Sequence, residues 1–266
     1  MKAAAFDYVC PDSIAAALRV LNDPDLDAVP LAGGQSLVPM MNFRLACPDV
    51  LVDLNRIPGL SSVLDDGEVL RIGAMTRYVT LMTDPLIAAH VPLFGMALPF
   101  VAHAAIRNRG TIGGSVALAD PAAEMPALLL ALGATVVLEG PDGVREVPAD
   151  DFFLGLYETA REPGELVTAI LVPKAQSGQR FAFHEVARRH GDYAMAGVAV
   201  RASDESRCAF FAVSDRAVRS GSAEASLLGG KTPDLSDIDF HGDQNAGADT
   251  KVHLARVVFE RAVEAL

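Results

Sequence analysis

The sequence predicts an α+β fold built from three consecutive parts, residues 1–56, 57–175 and 176–266. Three observations predict it. The chain opens on short apolar strands separated by an amphipathic helix, continues through a helical stretch broken by prolines and flanked by hairpin signals, and ends in alternating segments of strand character. At 266 residues and 51% hydrophobic composition it buries a sizeable core without disulfides, and 21% charged residues fit a folded protein.

In the first part, residues 6–9 read as a strand. Asp12 or Ser13 caps a helix in which Ile14, Leu18 and Leu21 recur at helical spacing. Residues 29–32 form a second strand that runs into Gly33-Gly34-Gln35-Ser36. Residues 50–54 form a third, an apolar run suited to a sheet covered on both faces. In the second part, residues 61–64 and 68–73 flank Asp65-Asp66-Gly67, a hairpin signal. Residues 76–104 are helical, but Pro85, Pro92 and Pro99 divide them into short helices. A helix over 121–132, a strand over 134–138 and a turn at Pro141-Asp142-Gly143 follow. Residues 174–179 are a polar linker. Beyond it, 181–186, 194–201 and 207–213 read as a three-stranded antiparallel meander, with helices near 223–228 and 251–265.

Charge narrows the partners. Lys and Arg number 22 against 34 Asp and Glu, a formal net charge of −12, so nucleic acid and anionic lipid are not expected to bind. An anionic ligand needs backbone amides or a few placed cations instead. Cys10, Cys47 and Cys208 are far apart and odd in number, which fits a reducing compartment. They lack the spacing of an iron–sulfur ligand set. The N-terminus has no signal-peptide character, and the best apolar run, 125–132, is too short to span a membrane and contains Pro126. The expected location is cytoplasmic.

Two segments share a design in which an apolar strand leads into two glycines and a small hydroxyl residue: Ala32-Gly33-Gly34-Gln35-Ser36 and Thr111-Ile112-Gly113-Gly114-Ser115. Glycine permits positive φ and close ligand approach, and successive amides can converge on an anion. Ser36 also stands where a short helix can begin, aiming its amino end at the anion. Two such loops suit a diphosphate. Each loop alone also reads as an ordinary tight turn. Other signatures fail. The chain has no GxGxxG and no GxSxG; Gly229-Gly230-Lys231-Thr232 ends like a P-loop but has Ala225 where the earlier glycine belongs; and His184-Glu185 lacks a second histidine because Arg188 holds its place. His103 and His184 have no visible partner and read as structural. Asp65-Asp66 and Asp150-Asp151 read as solvated turn residues rather than a metal site. Arg107 and Arg109 flank the second glycine pair, where they assist phosphate, pair with surface acids or meet a partner subunit.

Three ordered motifs resemble one family. Ala32-Gly33-Gly34-Gln35-Ser36-Leu37-Val38-Pro39, with Arg44-Leu45 and Pro48-Asp49-Val50-Leu51-Val52-Asp53-Leu54, resembles the first flavin-binding motif of molybdenum-hydroxylase medium subunits of the carbon monoxide dehydrogenase and xanthine dehydrogenase type. Ile106-Arg107-Asn108-Arg109-Gly110-Thr111-Ile112-Gly113-Gly114-Ser115 and Ala119-Asp120-Pro121-Ala122-Ala123-Glu124 resemble the second. Val186-Ala187-Arg188-Arg189-His190-Gly191-Asp192-Tyr193-Ala194 resembles a third. The resemblance covers almost the whole chain.

It implies a two-subdomain FAD-binding fold of the vanillyl-alcohol-oxidase/PCMH type with a C-terminal three-stranded antiparallel sheet and helices. It further implies that residues 32–36 and 111–115 cradle the FAD pyrophosphate and its neighbouring sugar. Glu124 falls on an acidic position that bonds the ribityl chain in relatives, although a carboxylate in a helix's first turn is also favoured by the helix dipole. Tyr193 falls on a tyrosine near the isoalloxazine ring, or is an ordinary strand-end tyrosine. Leu166 packs against the flavin or in the core. Gln35 and Leu118 stand where relatives often carry histidine. The implied role is electron transfer without a substrate-cleaving residue in this chain. A large molybdopterin subunit and a small subunit with two-iron two-sulfur clusters are the implied partners, assembled as a dimer of heterotrimers. A self-sufficient FAD-dependent oxidoreductase and a non-redox nucleotide-binding module are the alternatives.

Overall fold

Residues 2–229 and 233–266 are described by the computed structural model, so most of the P-loop-like tail, residues 230–232, lies outside the described residues. The first sheet joins β1 (Asp7–Val9), β2 (Ala28–Leu31) and β3 (Val50–Asp53), all parallel, in the order β1-β3-β2. α1 (Ile14–Leu21) connects β1 to β2, and the Ser13 hydroxyl accepts the Ala16 N–H to cap it. α2 (Leu37–Asn42) leads from β2 toward β3. Ala17, Val50, Val52 and Leu54 form this unit's core, which Met75 and Leu166 join from the next part. Ligands gather at the carboxyl ends of parallel strands, and only Ala32 separates Leu31, the last residue of β2, from the first glycine pair.

The second part opens on a hairpin, β4 (Val63–Asp66) and β5 (Val69–Gly73), turned at Gly67 with φ +66°. α3 (Tyr78–Thr83), α4 (Pro85–His90) and α5 (Pro92–Ala97) follow. Two of the three prolines start helices rather than merely ending them, because the first helical residue needs no N–H donor. The Asp84 carboxylate accepts from Leu86 and Ile87 to cap α4. After α6 (Ala104–Arg107), α7 (Ile112–Leu118) and α8 (Glu124–Leu132), the chain adds β6 (Thr135–Gly140), β7 (Gly143–Pro148), α9 (Ala149–Phe152), β8 (Phe153–Gly155), β9 (Glu158–Thr159) and β10 (Leu166–Pro173).

An antiparallel sheet of order β4-β5-β10-β6-β7 results. Its central strand, β10, has no counterpart in the sequence reading. Leu166, Val167, Ala169, Ile170 and Val172 are buried with no polar alternation between them, so the period-two signal is absent. The acidic pairs differ from their expected turns. Asp65 lies in β4, 2.5 Å from the Lys174 ammonium, and Asp150 lies in α9, paired with Arg207 and Arg219.

β11 (Arg180–Ala187), β12 (Ala194–Ala202), β13 (Arg207–Phe211) and β14 (Val218–Arg219) form a meander of four strands rather than three. β14 has two residues, too few to show alternation. α10 (Gly221–Gly229) and α11 (Ala248–Glu264) complete the chain. Alternate residues of this sheet serve two cores: Ala199, Ala209 and Phe211 face the middle part, while Val198, Val200 and Phe210 face Val258 and Phe259 of α11. α8 is the joint between the sheets. All nine of its residues are buried, as expected for a helix apolar on nearly every side. No helix among the described residues is long and apolar enough to cross a membrane.

Lys251 of α11 is 1% exposed, and its ammonium donates to the Asp243 carboxylate (2.6 Å) and the Ala212 carbonyl. The Ala212 N–H in turn bonds the Pro121 carbonyl at 2.7 Å, beside the N-terminus of α8. Lys251→Met keeps the stem volume but strips both acceptors of their donor. It should lower unfolding free energy by roughly 1–3 kcal/mol in urea titration; an unchanged midpoint would show that the ammonium contributes nothing net.

Candidate functional site

Planar trans peptides decide what the first glycine segment presents, since each carbonyl points opposite to the next residue's N–H. The Ala32 carbonyl accepts Asn55 Nδ2 (3.1 Å), the Gly33 carbonyl accepts Gln35 Nε2 (2.9 Å), and the Gly34 carbonyl accepts the Val38 N–H (3.1 Å). With three successive carbonyls held by the protein, the N–H groups of Gly33, Gly34 and Gln35 turn the other way. These amides and that of Ser36 have no acceptor among the described residues. Gly34, at φ +71°, supplies the left-handed residue such a run of amides requires. Ser36 is the residue before α2, and its hydroxyl makes no capping bond. Gln35 uses one of its two side-chain N–H hydrogens inside the loop.

The second glycine segment is built differently from its expected design. No strand precedes it. The chain comes out of α6, Thr111 makes one bridge to Arg77, and the glycines form the first turn of α7. Its amides are engaged: Ile112 N–H bonds the Thr76 carbonyl (3.0 Å), Gly113 N–H the Ala74 carbonyl (2.8 Å), Gly114 N–H the Thr111 hydroxyl (3.1 Å) and Ser115 N–H the Thr111 carbonyl (3.2 Å). A second amide cradle is therefore absent. These glycines instead permit contact. A Cβ on Gly113 would fall 2.4 Å from that of Ala74, and one on Gly114 would fall 2.9 Å from the Thr111 hydroxyl.

The two segments touch. A Cβ on Gly33 would lie 2.3 Å from the Arg109 carbonyl oxygen and 2.9 Å from Gly110 Cα. Around this contact opens a cleft of about 570 Å³, the size of a pocket for an organic cofactor. Ala32, Gly33, Gly34, Gln35 and Ser36 line it from one side, and Thr111, Gly113, Gly114 and Ser115 from the other, with Glu124, Leu166 and Tyr193 completing the predicted set. Ile112 is the exception. Its side chain is fully buried in the core and does not reach the cleft. Leu166 belongs both to the cleft wall and to the first unit's core. Sequence reasoning missed Met75, Tyr78, Asp120 and Gly191, which also line the cleft. Asp120 and Gly191 sat inside quoted motifs and so carried a signal. His103 lines the cleft too, whereas His184 lies against Arg261, Nε2 to Nη1 3.2 Å. Arg107 is structural: its guanidinium donates to the Val101 and Ala102 carbonyls at 2.8 Å each.

The far wall is acidic. Glu124 is 7% exposed, and its carboxyl accepts only from its own backbone N–H among the described residues. Burial, and then the neighbouring Asp120 carboxylate, push it up to about 7. Burial and the charge of Glu124 push Glu185 up to about 8, and one Glu185 oxygen is buried without a partner. Tyr193 stands at the mouth with much of its ring exposed, and surrounding protein together with Asp120 holds its phenol above the ordinary value. Burial raises the Tyr78 phenol as well. Glu165 is different, because Arg145 clamps it through two bonds of 2.6 and 2.7 Å that hold its carboxyl low. The cleft is thus lined by the unpaired amides of the first segment and by the buried, protonatable carboxyl of Glu124, while Glu185 is not part of its lining.

The family model for the FAD binding domain in molybdopterin dehydrogenase matches residues 4–175. The chain belongs to this family. Among relatives of this FAD-binding chain, the medium chain of carbon monoxide dehydrogenase from Hydrogenophaga pseudoflava is 45% identical over 73% of this chain and 68% of its own. The beta subunit of caffeine dehydrogenase from a Pseudomonas species is 35% identical over 99% and 95%. The solved structure of the Hydrogenophaga pseudoflava carbon monoxide dehydrogenase superposes with a TM-score of 0.93 at 39% identity, covering 100% of this chain and 98% of that one. Quinoline 2-oxidoreductase from Pseudomonas putida gives 0.92 at 36% identity, covering 100% and 98%. The α+β fold of the family is therefore shown for the whole chain.

The acids of this FAD-binding chain set a pH dependence. A carboxyl raised in the folded state binds its proton more tightly there than in the unfolded chain. Stability is thus fully present below the unfolded pKa and is lost as pH rises through the folded one. For ligand-free protein, the loss due to Glu124 runs from about pH 4.5 to about 7. Glu124→Gln should flatten that decline, a difference on the order of 1–3 kcal/mol between pH 5 and pH 8. Parallel pH profiles for both proteins in chemical denaturation would contradict it.

Proposed function

We propose that this chain is the FAD-carrying medium subunit of a molybdenum hydroxylase, with molybdopterin in a large partner, two-iron two-sulfur clusters in a small partner, and the whole assembled as a dimer of heterotrimers. One observation carries the reading: four backbone amides with no acceptor among the described residues, at residues 33–36, belong to a segment that lines the cleft where the two glycine segments meet. A chain of net charge −12 binds a diphosphate best through such amides, which need no positive side chains.

The residues present fit FAD. The amides of Gly33 to Ser36 and the Ser36 hydroxyl would hold the diphosphate, and Ala32 the approach to it. Thr111, Gly113, Gly114 and Ser115 would lie along the neighbouring sugar, with Ile112 supporting them from the core. Glu124, whose carboxyl bonds no other residue among those described, would accept from ribityl hydroxyls, and Leu166 and Tyr193 would flank the ring. The second glycine segment gives surface rather than amides, so the diphosphate depends on the first. When bound, the flavin supplies electron-carrying chemistry between the clusters of the small subunit and an external acceptor. The protein's own residues orient it, shield it from water and set its surroundings; none is placed to cleave a substrate bond, which leaves substrate choice to the large subunit. We further propose domain limits at 1–56, 57–175 and 176–266, supported by the closure of each sheet within those bounds.

Expressed with the subunits encoded beside it, the chain should co-purify with a molybdopterin protein and an iron–sulfur protein and show flavin absorbance. A colourless chain that stays monomeric in their presence would sink the proposal. Gly33→Ala drives a Cβ into the Arg109 carbonyl and should weaken FAD binding about tenfold or more, read by flavin fluorescence; full affinity would remove the loop contact from the account.

A further inference from the structure

The amides that carry the functional reading are aimed by carbonyls, and two of the three carbonyl contacts come from inside the loop and its helix. The third comes from outside. Asn55 Nδ2 holds the Ala32 carbonyl at 3.1 Å, which sets the direction of the Gly33 N–H across the same rigid peptide. Asn55 is itself fixed on several sides. Asp53 Oδ1 accepts its N–H (2.8 Å) and its Nδ2 (2.6 Å), and the other Asp53 oxygen accepts the Tyr8 hydroxyl (2.5 Å). Arg77 Nη2 donates to Asn55 Oδ1 (3.3 Å), which orients the amide so that its NH₂ faces Ala32. The same guanidinium, through Nη1, donates to the Asn108 carbonyl (2.8 Å). Asn108 directly precedes Arg109, whose carbonyl lies against Gly33. A run of polar bonds therefore joins β1, β3, the first glycine segment, the start of α3 and the approach to the second segment. Neither Asn55 nor Arg77 lines the cleft.

We propose that Asn55 and Arg77 are positioning residues for the cofactor's diphosphate: Asn55 aims the leading amide of the cradle, and Arg77 fixes Asn55 and locks the two glycine segments in register. The inference rests on the FAD reading and deepens it. Two features follow from the geometry. Arg77 reaches the leading amide through Asn55, so the two losses overlap in part rather than add in full. The contribution is to ligand binding more than to folding, because the bonds lie at the surface, where water replaces a lost partner in the free chain.

The test uses the full chain freed of flavin, titrated with FAD and with ADP, alongside thermal unfolding without ligand. Asn55→Ala is expected to weaken FAD and ADP alike by about tenfold, with ligand-free melting within about 2 °C of wild type. Arg77→Met should weaken both less, Arg77→Lys should recover part of that loss, and the double variant Asn55→Ala with Arg77→Met should lose less than the sum of the two single losses. Unchanged affinities overturn the inference, as do additive losses, or losses matched by an equal fall in ligand-free stability and not recovered by lysine. ADP that fails to bind wild type while FAD binds overturns it too. If Asn55→Ala does not fold, the Arg77 pair decides by the same criteria. A wild-type chain that binds neither ligand overturns the functional reading and this inference with it, whereas normal wild-type binding with indifferent variants overturns the inference alone.

Discussion

Backbone meets backbone at Gly33, and the site depends on that contact. With its hypothetical Cβ only 2.3 Å from the Arg109 carbonyl, residue 33 has to lack a side chain for the parallel-sheet unit and the middle part to touch. Any side chain there separates the walls of the cleft. Gly113 enforces a second close approach, to Ala74 at the end of β5. Gly33 thus fixes the distance between two units that share only a small core around Met75 and Leu166, while Gly113 seats α7 within the middle part.

That constraint explains why similar glycine pairs do unlike work. The first pair follows a parallel strand, where the chain leaves the sheet with its amides unclaimed. The second pair starts a helix that docks on Ala74 and Thr76, and docking engages its amides. Amide donation and close packing both require glycine, so composition cannot separate them. The surrounding carbonyls decide which role a pair takes.

Electrostatics follows from the same layout. α8 must be buried to join the two sheets, and its first residue, Glu124, is carried into the interior with it. Asp120 and Glu185 stand nearby, and buried Glu124 and half-buried Glu185 hold their protons into the neutral range. A run of unpaired donors and the buried carboxyl of Glu124 in one cleft suit a ligand that is anionic in one part and hydroxylated in another.

Much of this was legible in the sequence. Ser13, Gly67 and the helix-starting prolines act locally, so their elements appeared near their predicted places. The glycine motifs, Glu124, Leu166 and Tyr193 were identifiable because they fall in motifs shared with a known family, or align with its positions. Three things required the folded chain. β10 is buried on both faces and so lacks the alternation that marks a strand. The part played by Asn55 and Arg77 depends on which carbonyl each side chain meets, across 23 and 31 residues of chain. The assignment of free amides to one glycine pair and engaged amides to the other was settled by packing. Local sequence sets what a backbone segment is able to do, but its hydrogen-bond partners come from elsewhere in the chain, and only tertiary structure chooses them.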